Sequence, residues 1–160
     1  MGLIVSGYPG IGKTTVAMRS VRFIDLESSG FSVDGQKTPM WFIPYCKIAV
    51  NLAAQGYHVF VSAHEVVQSY LDSIALPEGV SYVRCAPSKL LKAEWLNKLM
   101  NRYLETNLQK DKAAAVAAVE NYDEQVEYML SKPNAIELTS MDYDLETVIW
   151  RAEEQILQNQ

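Results

Sequence analysis

The chain opens with Gly2-Leu3-Ile4-Val5-Ser6 and runs directly into Gly7-Tyr8-Pro9-Gly10-Ile11-Gly12-Lys13-Thr14-Thr15. The first run is apolar and ends at a glycine-rich turn, which predicts a short strand buried on both faces. The second run matches the phosphate-loop pattern G-x-x-x-x-G-K-[ST], and residues 13–19 after it predict a helix. Because strand, loop and helix occur in the order that a phosphate-binding loop requires, this stretch predicts an α/β fold.

Each residue type in the loop has a physical reason. Glycines let backbone N–H groups turn toward phosphate oxygens, and the start of a helix favours negative charge. Lys13 is placed to reach the β- and γ-phosphates, and the Thr14 hydroxyl is suited to bind Mg²⁺. We therefore expect ATP and Mg²⁺ as cofactors, with Lys13 catalytic; the alternative is an ordinary glycine-rich turn with a surface lysine. The residues predicted to contact the nucleotide are Gly7, Tyr8, Pro9, Gly10, Ile11, Gly12, Lys13, Thr14 and Thr15.

Composition limits the class of protein. The 160 residues are 49% apolar and 21% charged, which is typical of one globular domain spanning residues 1–160. The net charge of −5 argues against a nucleic-acid partner, and no apolar run is long enough to predict a membrane span. Cys46 and Cys85 are far apart and no secretion signal precedes them, so we expect a cytoplasmic, reducing compartment. We expect a monomer or a homodimer.

The rest of the chain alternates short apolar runs with segments of helical periodicity. This alternation predicts right-handed crossovers and a five-stranded parallel sheet with helices on both faces, which makes three layers. A Ser- and Gly-rich loop is expected at 28–38, and Pro44 is expected at the first position of a helix. The later strands are predicted at 22–26, 57–62, 80–85 and 135–138. The later helices are predicted at 45–55, 64–75, 88–103 and 111–131, and from Asp142 or Asp144 to about 157.

Two carboxylates follow the second predicted strand. In an open parallel sheet, ligands bind beyond the carboxyl ends of the strands, so Asp25 and Glu27 fall at the ligand edge. Their spacing of two places both on one face of an extended backbone. Asp25 is therefore a candidate for orienting an acceptor hydroxyl or for holding Mg²⁺ with Thr14. The alternatives for both residues are a loop cap or a surface salt bridge.

The chain resembles the small P-loop kinases, which include nucleoside monophosphate, shikimate and gluconate kinases. The resemblance rests on the phosphate loop, on Phe23-Ile24-Asp25-Leu26-Glu27-Ser28-Ser29, and on Val59-Phe60-Val61-Ser62-Ala63-His64. The acidic pair is similar to that of shikimate kinases, and the I-D-L-E-S-S string is similar to phage-type (deoxy)nucleoside monophosphate kinases. The resemblance implies a P-loop NTPase fold with strand order 2-3-1-4-5.

The same resemblance implies residues that close over the nucleotide. It implies a lid at about 104–124 and a catalytic arginine late in the preceding helix, which Arg102 matches. The lid here departs from the family pattern, since its cations are Lys110 and Lys112 and it contains no arginine. The loop before the last helix would pack on the adenine, which makes Tyr143 a candidate for base contact. The alternative for Arg102 is a surface helix charge.

The acceptor would be recognised by an insert at about 28–56. Its aromatic residues Trp41, Phe42 and Tyr45 can stack on a base, and His64 falls at the ligand edge of the sheet. The alternatives are that Trp41 and Phe42 belong to the core and that His64 caps the next helix. The candidates for acceptor binding are Asp25, Glu27, Trp41, Phe42, Tyr45 and His64.

These features predict an ATP- and Mg²⁺-dependent phosphotransferase. The first expectation is a (deoxy)nucleoside monophosphate kinase of nucleotide metabolism, with small-molecule nucleotides as substrates. Residues 28–56 contain no arginine to meet an acceptor phosphate, and this favours a different acceptor. The alternatives are therefore a small-metabolite kinase of the shikimate or gluconate type, or a nucleotide-binding module without catalysis.

Overall fold

The computed structural model describes residues 1–33 and 36–160. Residues 34 and 35 belong to the predicted 28–38 loop and to the predicted 28–56 insert, and they lie outside the described part. Within that part no helix combines the length and the apolar character needed to cross a membrane.

Within the described residues, five strands form one parallel sheet, and two very short strands form a separate antiparallel hairpin. The sheet order is β2-β5-β1-β6-β7. When the hairpin strands are left out of the count, this is the predicted order 2-3-1-4-5, so the α/β prediction is confirmed. The strands are β1 Gly2–Gly7, β2 Phe23–Asp25, β3 Ser32–Val33, β4 Gln36–Lys37, β5 His58–Val61, β6 Val80–Pro87 and β7 Ile136–Leu138.

The part of the chain that the structure describes holds six α-helices, close to the predicted positions; five lie between strands and the last follows β7. Asp144 caps the last helix, since its carboxylate accepts hydrogen bonds from the backbone N–H and the hydroxyl of Thr147. Two 3₁₀ turns, Ser28–Phe31 and Lys89–Leu91, precede other elements. The helices are α1 Lys13–Arg19, α2 Phe42–Ala54, α3 Glu65–Ser73, α4 Lys92–Thr106, α5 Gln109–Leu130 and α6 Leu145–Gln158.

Three local predictions were wrong. The 28–38 segment is not all loop, because it holds a 3₁₀ turn and the β3–β4 hairpin. Pro44 is the third residue of α2 rather than the first, and proline is tolerated there because the first-turn N–H groups have no helical partner. Residues 88–91 are not part of α4, since Ser88 accepts a hydrogen bond from Leu90 N at 3.2 Å and caps a 3₁₀ turn.

The chain divides into two compact units. The first unit comprises Met1–Gly7 with Gly12–Val83, and the second comprises Tyr8–Ile11 with Arg84–Gln160. The prediction that residues 1–160 act as one kinase domain therefore stays a prediction.

The first unit has a core built on β1, β5 and α2. Its apolar side chains are almost completely excluded from water, which is the main favourable term in folding. Because β1 lies between other strands and is buried along its whole length, the predicted two-sided burial is confirmed. The buried members of this core are Ile4, Trp41, Tyr45, Cys46, Ala49, Ala53, Val59, Val61, Val67, Leu71 and Val80.

The second unit buries one face of α4 and α5. Trp95 and Leu99 lie one turn apart on α4 and are fully buried, and Tyr122 from α5 is 1% exposed. The predicted lid, residues 104–124, is almost entirely helical in the structure: α4 ends at Thr106, Asn107 takes the left-handed conformation, and α5 starts at Gln109. Its role as a lid stays a prediction.

Candidate functional site

The phosphate loop has the backbone conformation that its glycines permit. Gly10 has φ of +92° and Gly12 has φ of +106°, both in the left-handed region where an L side chain is strained. Lys13 donates from Nζ to the carbonyl oxygen of Gly7 at 3.4 Å, so its ammonium group lies across the start of the loop. The loop thus places a lysine and two permissive glycines where the sequence predicted them.

A short contact joins this loop to the end of β2. The Thr14 hydroxyl donates to Oδ2 of Asp25 at 2.7 Å, and both residues belong to the first unit. The contact forms because β2 ends at Asp25, and its carboxylate meets the first turn of α1. Glu27 is exposed and accepts a hydrogen bond from the Ser29 hydroxyl at 3.4 Å. The structure therefore brings together Thr14 and Asp25, the two residues predicted to bind metal.

The predicted acceptor aromatics lie in or against the core of the first unit. Tyr45 is fully buried, and its hydroxyl donates to Leu26 O at 2.7 Å and accepts from Ser62 N at 2.9 Å. Burial raises the pKa of Tyr45 well above its usual value, so the phenol stays protonated. Trp41 is 8% exposed, and Phe42 is half-buried with an edge contact to Tyr70. Tyr45 thus ties the ligand ends of β2 and β5 together.

His64 lies at that same edge, among polar and aromatic neighbours. Its Nδ1 is 2.8 Å from the Ser62 hydroxyl, and its ring makes an edge contact with Trp41 at 5.2 Å. The Lys37 ammonium lies 4.7 Å from the Trp41 ring centroid on the same cluster. Burial, then the charges of Lys37 and Lys13, lower the pKa of His64 to about 4. His64 is therefore a neutral hydrogen-bonding group at neutral pH and not a cation.

The lowered pKa of His64 predicts a pH dependence of stability. Between about pH 6.5 and 4 the unfolded chain binds a proton at His64 that the folded chain does not, so the free energy of unfolding falls as pH drops through this window. Because the His64 side chain is partly open to water, we expect a partial effect. Urea unfolding at pH 7 and pH 5 measures it: the loss between the two should be smaller for His64→Gln than for the unsubstituted chain. An equal loss in both would contradict the assignment.

In the second unit, two aromatic side chains hold the Tyr8–Ile11 part of the loop. The Trp95 indole donates from Nε1 to Pro9 O at 2.8 Å, and the Tyr143 hydroxyl donates to Ile11 O at 2.7 Å. The two rings stack at 11° with centroids 6.3 Å apart. Tyr143, predicted to touch the adenine, therefore has its hydroxyl on the loop and one face against Trp95; the base contact stays a prediction.

Tyr8, the first residue of this segment, packs against Tyr122. Its ring meets that of Tyr122 edge-on at 5.5 Å, and its backbone N–H donates to Cys85 O at 2.9 Å. The Tyr122 hydroxyl in turn donates to Ser88 O at 2.8 Å. Burial raises the pKa of Tyr8 to about 12, so it acts as a neutral packing group.

Two cations follow on α4. The Lys98 ammonium lies 4.6 Å from the centroid of Trp95 and 5.7 Å from that of Tyr143, where an ammonium is attracted to the ring face. Burial, then the charge of Arg102, lower the pKa of Lys98. Arg102 pairs through Nε with Oδ1 of Asp111 at 3.0 Å, and the Asp111 side chain is only 6% exposed. The predicted catalytic arginine is thus anchored by a carboxylate from the predicted lid.

Asp111 is expected to stabilise the α4–α5 junction. It accepts from the Thr106 hydroxyl at 2.5 Å as well as pairing with Arg102. Asp111→Asn keeps the shape and removes the buried charge, so we expect the free energy of unfolding to fall by about 1–3 kcal/mol. Urea unfolding measures this. The matched control is Asp123→Asn, which removes an exposed carboxylate paired with Lys92 and should cost less than about 1 kcal/mol; equal losses in the two variants would contradict the role of Asp111.

Neither Trp95 nor Asp111 is among the functional residues predicted from the sequence. Trp95 fits the apolar spacing of α4, so the pattern alone assigns it to the core, and its indole N–H bond reaches 86 positions back in the chain. An acidic residue in the first turn of a helix is ordinarily explained by the helix dipole. The available sequence signal for the ion pair between Arg102 and Asp111 was the position of Arg102 near the end of the predicted helix, nine residues before Asp111.

No family model matches the chain, and no curated protein matches it. Among solved structures, the fold is similar to that of a gluconokinase from Sinorhizobium meliloti 1021, with a TM-score of 0.55 and 15% sequence identity. The likeness covers 99% of this chain and 97% of that one. At this identity the match shows the fold alone, an α/β fold with a five-stranded parallel sheet.

Proposed function

We propose that the protein is an ATP- and Mg²⁺-dependent phosphotransferase that acts on a hydroxyl group of a small metabolite. The observation that carries the proposal is the 2.7 Å contact between the Thr14 hydroxyl and the Asp25 carboxylate, formed directly behind the phosphate loop. It joins the loop that would hold the polyphosphate to the acidic edge of the sheet where an acceptor would enter.

The residues present suit Mg²⁺. The ion prefers hard oxygen donors and is usually held by one or two protein oxygens together with substrate phosphates. Thr14 and Asp25 supply a hydroxyl and a carboxylate side by side. No group of three His, Cys, Asp or Glu suited to a metal occurs among the described residues. Thr14 would bind the ion directly and Asp25 would hold it directly or through water; bound there, it would neutralise charge on the phosphates.

The chain's own residues then have distinct tasks. Lys13 would exchange its 3.4 Å bond to Gly7 O for phosphate oxygens, since that bond is long and weak. The glycine-rich backbone would bind the remaining oxygens through N–H groups. Phosphoryl transfer needs little covalent chemistry from a protein and depends on positioning and charge stabilisation, which these groups supply. Arg102, which pairs through Nε with Asp111 in the second unit, keeps its predicted catalytic role as a proposal.

The burial of the aromatic residues favours a metabolite acceptor over a nucleotide. A base-stacking platform needs an open ring face, but Tyr45 is fully buried and Trp41 is 8% exposed against Tyr45 and His64. Residues 28–56 also contain no arginine for an acceptor phosphate. The structural likeness to a gluconokinase supports the same alternative. We therefore prefer the shikimate- or gluconate-type alternative to the nucleoside monophosphate kinase first expected from sequence.

Glu27 is the residue that we assign to the acceptor hydroxyl. Asp25 accepts a hydrogen bond from the Thr14 hydroxyl at the metal-binding position, and Glu27 lies two residues further along at the same edge, exposed and 3.4 Å from the Ser29 hydroxyl. A carboxylate in this place can accept the proton of an attacking hydroxyl. In this proposal Glu27 takes the acceptor hydroxyl, for which the sequence favoured Asp25, and Asp25 serves Mg²⁺.

An acceptor screen coupled to ADP release tests the proposal. The purified protein is given ATP and Mg²⁺ with polyols, sugar acids and other hydroxylated acids in one set, and with nucleoside monophosphates in a second set. Turnover with a member of the first set supports the proposal. Turnover with monophosphates alone would overturn it in favour of a nucleoside monophosphate kinase. Tight ATP binding with no ADP formed on any acceptor would indicate a nucleotide-binding module.

A further inference from the structure

Trp95 and Tyr143 hold two neighbouring carbonyls of the phosphate loop. The acceptors are Pro9 O and Ile11 O, and the hydrogen bonds of 2.8 Å and 2.7 Å are close to ideal length. The donors come from α4 and from the loop before α6, far apart in sequence. Convergence of two remote side chains on alternate peptide groups of one loop requires an explanation beyond core packing.

Peptide geometry supplies the consequence. In a trans peptide the C=O and the following N–H point in opposite directions. Fixing the carbonyl of Pro9 therefore fixes the direction of the Gly10 N–H, and fixing that of Ile11 fixes the Gly12 N–H. Both glycines have positive φ. Because glycine has no Cβ, its own sterics do not fix the orientation of these two peptide planes.

We propose that Trp95 and Tyr143 are positioning residues that aim the Gly10 and Gly12 N–H groups at the nucleotide phosphates. The proposal rests on the proposed function, because it assumes that the loop binds a polyphosphate. Neither residue touches the reacting atoms in this assignment. Each acts through one peptide group, and each excludes water from the carbonyl that it binds.

The packing around the two rings indicates that they are held rigidly. The rings stack on each other, and Lys98 lies over both. A Cβ added to Gly10 would lie 3.1 Å from Nε1 of Trp95 and 3.0 Å from Cδ2 of Leu99, so the loop backbone is pressed against α4 with no spare space. Because these hydrogen-bond donors already fix one side of the loop, the loop loses little conformational entropy when its N–H groups bind a ligand.

Tyr143→Phe is the sharpest variant, since it removes one hydroxyl and keeps the stacked ring. Losing a hydrogen bond of this kind should raise the ADP dissociation constant, and the KM for ATP, about two- to tenfold. Tyr128→Phe is the matched control; it lies on α5 under Lys132 and should leave both values unchanged. Calorimetry with ADP and Mg²⁺, without acceptor, measures binding apart from catalysis.

Backbone amide NMR separates positioning from general stabilisation. On adding ADP, the Gly12 amide signal should shift less in Tyr143→Phe than in the unsubstituted protein, while the Gly10 signal keeps its shift. Trp95→Phe should reverse the pattern. A uniform fall in melting temperature with unchanged glycine signals and unchanged ADP affinity would overturn the proposal.

The result also distinguishes this proposal from the proposed function. If the unsubstituted protein does not bind ADP or ATP, both fail. If it binds nucleotide and Tyr143→Phe binds equally well with equal glycine shifts, the positioning role alone fails. If it binds nucleotide but phosphorylates no acceptor, the proposed function fails and the positioning role is still decided by calorimetry and NMR.

Discussion

Lys13→Ala should lower the rate of phosphoryl transfer about 10³-fold, the upper range for loss of one preorganised group that stabilises transition-state charge. Lys13 is the one cation carried by the phosphate loop itself, and its ammonium lies across the loop at Gly7 O. The rate constant with saturating ATP and acceptor measures the effect.

The control for Lys13→Ala is Lys92→Ala, which removes a cation from the surface of α4. Lys92 pairs with Asp123 at 3.2 Å with both side chains about half exposed, so its loss should affect neither rate nor fold. Lys13→Arg is a further comparison. It keeps the positive charge but replaces the compact ammonium group by a larger, planar guanidinium group, so we expect it to recover little activity. Activity of Lys13→Ala within tenfold of the unsubstituted enzyme would show that this lysine does not stabilise the transferring group.

The phosphate loop could be predicted because its signal is local: the eight-residue pattern sits between a strand and a helix in the printed sequence. The alternation of apolar runs with helical periodicity predicted a parallel sheet. The order of its strands came from the resemblance to the small P-loop kinases. The contact between Thr14 and Asp25 was predicted from the ligand edge of the sheet, since Asp25 ends β2 and Thr14 lies in the first turn of the helix that follows the phosphate loop.

What the sequence did not predict depends on contacts between distant positions. The Trp95 bond to Pro9 O and the Tyr143 bond to Ile11 O join residues 86 and 132 positions apart. Apolar periodicity assigns such rings to a core, and it carries no information on where an indole N–H or a phenol O–H points. The Tyr45 hydroxyl is the same case: its ring is core, while its oxygen bridges Leu26 O and Ser62 N. Pro44 was expected at the first position of α2 and occupies the third, because proline is tolerated throughout the first helical turn.

Asp25→Asn should lower the rate of transfer about 10- to 100-fold and raise the Mg²⁺ concentration needed for half-maximal rate. Partners that orient a metal's ligands typically change metal affinity or activity by such factors. The amide oxygen of asparagine can still accept the 2.7 Å hydrogen bond from the Thr14 hydroxyl, so the loop geometry should survive. The substitution removes the negative charge, which in the proposed function would hold Mg²⁺ directly or through water.

The Mg²⁺ dependence decides between the two roles open to Asp25. If Asp25 serves the metal, excess Mg²⁺ should recover part of the lost rate in Asp25→Asn, and the KM for the acceptor should not change. Glu27→Gln should show the opposite pattern, with an altered acceptor KM and an unaltered Mg²⁺ dependence, because Glu27 is assigned to the acceptor hydroxyl. Asp72→Asn, an exposed carboxylate on α3, is the charge-matched control. A rate for Asp25→Asn within a few-fold of the unsubstituted enzyme at low Mg²⁺ would remove Asp25 from the mechanism and leave its bond to Thr14 as a structural contact.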